Sequence, residues 1–300
     1  MIRLALVVIV PFFTFACGGR SPGADAGGTG QTNTPPIGTG VTWYRDVLPL
    51  VQNHCQSCHV AGGIAPFALD TYESAAAIHS TIAGAVASRQ MPPWLPDDSC
   101  VELKGSRRLS DADVDVFVRW SSAGAPAGDP ADAPAPPDAA PGLPRFDAVL
   151  EPSNTYVPNA SKADDYHCFV LPPAFDTQKD LIGFAVDPGT PSQVHHVILF
   201  SIPQSIAQNL DANEAGPGWT CYGGPGVSRA QQAQVTMLGG WVPGTGATQY
   251  PDGTGINVPA GDVVVMQVHY NMSHGAPVAD RTQVKLEFAS KPVLSALIIP

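Results

Sequence analysis

Apolar positions along the chain change their period once. Near the start of the patterned region, "TWYRDVLPLVQNHCQSCH" places Tyr44, Val47, Leu48 and Val51 at helical spacing. Further on, "LSDADVDVFVRW" sets Ser110 and Asp113 at capping-box spacing ahead of Val114, Phe117 and Val118. These two stretches predict helices that bracket the sequence "CQSCH". From residue 145 the apolar runs shorten to "HCFVLP", "DLIGFAVDPG", "VHHVILFSIP", "DVVVMQVHYNM" and "TQVKLEFAS", separated by turn residues. That spacing predicts an antiparallel sandwich.

Two stretches break the patterning. "MIRLALVVIVPFFTFACGG" carries one positive charge at Arg3, an apolar run over residues 4–15, then Ala16 and Cys17. It has the form of an export signal, and its run falls short of the ~20 apolar residues of a spanning helix. Its end resembles a bacterial lipobox, which implies removal of residues 1–16, acylation of Cys17 and residues 17–40 as a flexible linker to a membrane. The expected location is the periplasm or the outer surface, as a membrane-anchored lipoprotein. The second break, "SSAGAPAGDPADAPAPPDAAPGLP", is almost wholly Ala, Pro, Gly and Asp and offers nothing from which to build a core. The expected organisation is therefore a domain over residues 41–124, an Ala/Pro-rich linker over 125–144 and a second domain over 145–300.

Composition narrows the function classes. Hydrophobic residues make up 44% of the 300, enough for more than one packed core. Pro (31) and Gly (30) are abundant, as suits β-rich domains joined by loose linkers. A formal charge of −11 with only 15 Lys and Arg excludes a nucleic-acid partner, which would need clustered cations.

In "CQSCH", Cys55, Cys58 and His59 form the attachment pattern of c-type haem. Two thiols one helical turn apart can reach two vinyl groups, and the adjacent imidazole supplies an axial ligand. A redox dithiol would want a βαβ context, and a zinc site would want two more ligands at close spacing. With its flanking helices the region resembles a small class I cytochrome c, which implies an all-α domain carrying covalent haem. Met91, in "SRQMPPWLP", is its sole methionine, and the following prolines hold it in an extended loop, so Met91 is the expected sixth ligand. His54 and His79 are the alternatives.

In "VHHVILF", His195 and His196 are neighbours in a predicted strand, where successive side chains point to opposite faces. If both serve one site, the strand is distorted there. In "VVVMQVHYN", Gln267 and His269 share one face, which offers a third imidazole. Three neutral imidazoles suit copper, zinc or iron, and ligand softness alone does not choose.

The ordered set "DDYHCFVLPP", "VHHVILF", "WTC", "GINVPAG" and "VMQVHYNM" resembles the N-terminal domain of copper type II, ascorbate-dependent monooxygenases, the family of the peptidylglycine and dopamine hydroxylating enzymes. The likeness covers roughly residue 164 to the end. It implies a jelly-roll-like sandwich, an electron-storing copper on His195, His196 and His269, and a disulfide between Cys168 and Cys221. With Cys17 lipidated and two cysteines on haem, Cys100 is left over. The family's catalytic copper lies in a second domain and is held by a His-x-His pair and a Met. The chain has no His-x-His and ends at "VLSALIIP", so the expectation is a truncated chain or the electron-transfer half alone. Met237, Met266 and Met272 are expected as core filling.

The resemblances imply a multidomain protein, all-α then all-β, in which haem supplies electrons to a copper monooxygenase site. O2 and an electron donor, ascorbate or a redox protein, are the expected partners. A non-catalytic electron-transfer or copper-binding lipoprotein, and a three-histidine zinc hydrolase, are the rival expectations.

Overall fold

The computed structural model describes residues 40–94, 96, 103, 105–273, 275–296 and 298. The expected export signal, Cys17, nearly all of the expected first linker, Cys100 and His274 lie outside the described residues. Within them, a helical unit precedes a β-sandwich.

In the helical unit a single π-helical turn, Trp43–Val47, runs into α1 (Leu48–His54), followed by α2 (Tyr72–Ala77), α3 (His79–Ala87) and α4 (Asp111–Ser122). The capping box at α4 is formed: Ser110 Oγ accepts from the Asp113 amide, and the Asp113 carboxylate accepts from the Ser110 amide, both at 3.1 Å. Such a cap stabilises a helix start by about 1 kcal/mol. Trp43, Val47, Val51, Ile82, Val86, Phe117 and Trp120 turn inward into one core. Helix is sparser than the periodicity suggests, because Gly62, Gly63, Pro66, Pro92 and Pro93 hold the stretches after α1 and after α3 irregular.

The Ala/Pro-rich segment departs from its composition. Ala125 is buried in the helical core, and its carbonyl accepts from the Tyr72 hydroxyl at 2.9 Å. The Pro126 carbonyl accepts from the Trp43 amide at 2.9 Å and from Trp120 Nε1 at 3.1 Å. At the other end the Pro141 carbonyl accepts from the Ala247 amide at 2.9 Å. Main-chain acceptors tie both ends down, which side-chain composition does not foretell.

The sandwich holds β1 (Ala148–Leu150), β2 (Asp164–Leu171), β3 (Lys179–Asp187), β4 (Val194–Pro203), β5 (Trp219–Thr220), β6 (Thr236–Trp241), β7 (Thr248–Gln249), β8 (Thr254–Val258), β9 (Asp262–Asn271), β10 (Gln283–Phe288) and β11 (Leu294–Ser295). One sheet runs β1-β10-β3-β8-β11, with β7 also on β3, and the other runs β5-β2-β9-β4-β6. All the pairings are antiparallel except β11 with β8. Between the sheets pack Phe169, Leu181, Phe184, Leu199, Met266, Val268 and Leu286.

The outer face of the second sheet is covered too. Helix α5 (Gln204–Asp211) lays Ile206 and Ala207 against Phe200, Ile202, Val263 and Val265. Central strand β9 is thereby buried over nine consecutive residues, which explains why "DVVVMQVHY" reads as a continuous apolar run rather than an alternation. Met237 and Met272 pack at the edges of these two cores and Met266 lies fully inside one.

A disulfide joins Cys168 of β2 to Cys221, just past β5, in the outer core. It closes a loop of sequence separation 53 that contains β3, β4 and α5. A double substitution Cys168→Ala/Cys221→Ala is expected to lower stability by about 4 kcal/mol, the chain-entropy value for such a loop. Denaturant unfolding followed by tryptophan fluorescence measures it, and peptide mapping without reductant should recover the two cysteines joined.

Candidate functional site

The two adjacent histidines share a face because β4 carries a bulge. Val194 pairs with Tyr270 and His196 pairs with His269, so two steps along β4 match one step along β9. His195 is the extra residue. On either side of the bulge Val194, Val197 and Leu199 keep facing the inter-sheet core. The insertion turns both imidazoles outward, beside His269 from the neighbouring strand.

The three Nδ1 atoms converge. His196 Nδ1 lies 3.3 Å from His195 Nδ1 and 3.3 Å from His269 Nδ1, and the three candidate ligand atoms lie within 4.8 Å of one another. Two nitrogens each bound at about 2.0–2.1 Å to one ion, at a near-tetrahedral angle, are separated by about 3.3 Å. Burial, reinforced by the neighbouring imidazoles, lowers the pKa of His195 and takes that of His196 down to about 4. Both are therefore neutral near pH 7, the form that coordinates metal.

His269 is held from behind. Its Nε2 donates to Asp164 Oδ1 at 2.8 Å, which fixes the tautomer and leaves the Nδ1 lone pair facing the other two histidines. The hydrogen bond from His269 holds the Asp164 carboxyl below its usual range, and Asn271 Nδ2 donates to the same oxygen at 2.9 Å. Tyr166, the register partner of His269 on β2, stacks on its ring at 4.2 Å with planes 2° apart. Asp164 is likewise the register partner of Asn271. Neither role can be found without the β2–β9 register, although both residues stand in "DDYHC".

The remaining histidine of that strand is elsewhere. His167 is buried, donates from Nε2 to the Pro217 carbonyl at 2.9 Å and stacks on Tyr156. Gln267 does share the outer face with His269, but it donates to the Gly224 carbonyl at 2.7 Å and so braces the loop that follows Cys221.

Cys55, Cys58, His59 and Met91 line a single cavity of about 260 Å3, together with Ile64, Phe67, Leu69, Ile82 and Val86. His59 Nδ1 donates to the Phe67 carbonyl at 3.1 Å, which leaves Nε2 free, and burial lowers its pKa, favouring the neutral ring. Burial pushes the Cys55 thiol up to about 12, the reverse of what an activated redox dithiol needs. Among the described residues, the only cluster of three or more His, Cys, Asp or Glu with metal-ligand spacing is the histidine triad. Two free thiols, an imidazole with an open Nε2 and a thioether around one apolar cavity fit a covalently held haem. Trp94, next to the wall residue Pro93, keeps a buried indole N–H without a partner. Of the alternative axial ligands, His54 lines the cavity, whereas His79 Nδ1 bonds Ser121 Oγ at 2.8 Å and is not among the wall residues.

The sandwich completes the wall of this cavity with His195 and Asn271. One histidine thus borders both the cavity and the triad.

No curated protein matches the chain. Residues 149–276 match the family of the copper type II ascorbate-dependent monooxygenase N-terminal domain, a span that holds the three converging histidines and both disulfide cysteines. The match and the geometry together support copper as the ion for the triad.

Proposed function

We propose that the chain is an exported haem c and copper protein of the hydroxylating monooxygenase type, in which the helical unit is a cytochrome c-like module serving the copper of the sandwich. The observation that carries this reading is His195, which lies in the wall of the Cys55/Cys58/His59/Met91 cavity and in the histidine triad. Haem bound there and copper at the triad would each exchange single electrons, and conversion of C–H to C–OH with O2 consumes two electrons and two protons and releases water.

The chain's own residues set the terms of that exchange. Cys55 and Cys58 would hold the haem as thioethers, with His59 and Met91 as its axial ligands. His195, His196 and His269 would present three Nδ1 donors, a set that suits both copper oxidation states. Asp164 keeps His269 in the coordinating tautomer, and Tyr166 keeps its ring in plane. Ascorbate or a redox protein is the proposed outside donor, and an acylated Cys17 would hold the protein at a membrane surface.

Three tests bear on this reading. Copper should bind one per chain, and His195→Ala, His196→Ala and His269→Ala should each weaken it strongly, with haem content unchanged. Asp164→Ala should weaken copper about 10–100-fold, the usual range for a group that orients a ligand, while His167→Ala leaves it unchanged. Competition titration with a copper chelator reads all five.

Met91→Ala should keep haem attached yet lose the sulfur-to-iron absorption band of the oxidised form and lower the reduction potential. An unchanged spectrum would remove Met91 as ligand.

With copper bound, pre-reduced haem should reoxidise at a rate independent of protein concentration, measured by stopped flow under anaerobic conditions. A rate proportional to concentration would dismiss the internal relay.

A further inference from the structure

The helical unit and the sandwich meet at a small contact beside the shared cavity, and that contact is sterically exacting. The loop after β6 reaches the haem-attachment sequence at Gly244, which has φ +82°, and a Cβ added there would lie 2.2 Å from Ser57 Cβ and 2.8 Å from Ser57 Oγ. Ser57 is the third residue of "CQSCH". Next to it, Arg107 Nη2 donates to the Pro243 carbonyl at 2.6 Å. Arg107 also lines the cavity and is, among the described residues, the only Arg or Lys in its wall. A cation in the wall of an apolar cavity and a glycine pressed on the attachment loop thus adjoin one another, and the sandwich also contributes His195 and Asn271 to that wall.

We propose that residues 243–244 of the sandwich form a dock on the chain's own attachment loop, latched by Arg107, which closes the cavity with His195 and Asn271 as its inner surface. Closure has two effects. It shields whatever the cavity holds from reductants in solution, and it keeps His195 against the cavity, so that electrons pass inward to the triad. Arg107 and Gly244 are positioning residues in this scheme, since neither is a ligand. The second effect rests on the haem and copper reading; the first needs only a redox group in the cavity.

The experiment uses the full chain with haem attached and copper bound, and compares Arg107→Met, Gly244→Ala and Gly244→Ala/Ser57→Gly with the parent. Haem and copper per chain are checked first and should be unchanged. The probe is the second-order rate of haem reduction by dithionite. Loss of one charge-assisted hydrogen bond shifts the closed-to-open ratio by about tenfold or more, so Arg107→Met should speed reduction by about that factor. Its lost positive charge would by itself slow an anionic reductant, so a faster rate reports opening. Gly244→Ala should behave alike, and Ser57→Gly in the double variant should restore the parental rate, because it removes the Ser57 Cβ and Oγ that the new Cβ would meet at 2.2 and 2.8 Å and leaves only the flexible end of Arg107, Nη2, at 3.3 Å. That restoration separates loss of docking from simple strain at φ +82°.

Parental dithionite rates in both single variants, or a double variant as fast as Gly244→Ala, would overturn the dock. Internal reoxidation by copper should slow in the opened variants and recover in the double. If the parent shows no internal transfer while the dithionite rates follow the expected order, the relay reading falls and the dock stands.

Discussion

One inserted residue on β4 is the constraint on which the candidate site depends. A regular strand sends neighbours to opposite faces, so His195 and His196 could not otherwise meet one ion. The bulge resolves this without disturbing the inter-sheet packing, because Val194 and Val197 both remain fully buried on the inner side. It also sits next to β9, the most buried strand of the sheet, whose neighbours on both faces leave it no room to adjust. The distortion is therefore confined to the strand that carries the pair, and His269 comes from a rigid reference.

Around that point the structure is layered by burial. The Cys168–Cys221 bridge and the buried Gln267 pin the outer core immediately beside His269. Asp164, Asn271 and Tyr166 then hold the imidazole from its far side and its face. The exposed member is His195, which projects from the bulge to the cavity. Burial thus decreases from β9 toward the boundary between the two units, and the exposed end of the triad is the end that meets the helical unit.

Much of this was legible in the sequence, for reasons that are local. The five apolar runs correspond to β2, β3, β4, β9 and β10, and Ser110 with Asp113 caps α4 as their spacing predicts. If both histidines serve one site, as the family resemblance implies, the strand period requires a distortion at the pair, and the bulge meets it. What escaped was everything set by register or by main-chain bonding. Asp164 and Asn271 are 107 residues apart and become neighbours only when β2 pairs with β9. Gly244 and Ser57 belong to different units, and no periodicity links them. The short strands β5, β7 and β11 have two residues each, below the length at which alternation can be seen.

The anchoring of the Ala/Pro-rich segment bears on how this sequence can drift. Its ties to Trp43, Tyr44 and Trp120 at one end and to Ala247 at the other are made by the carbonyls of Pro126, Ala127 and Pro141. Carbonyl acceptors are common to every amino acid, so substitution between the ties leaves them untouched. Low complexity and a fixed path coexist because identity and attachment reside in different atoms. Selection can then let residues 133–139 vary in composition while it holds the endpoints in place, together with Gly128, whose φ of +78° and contact with Thr42 leave no room for a Cβ, and the variable stretch of an alignment would mark a tethered strap rather than a free one.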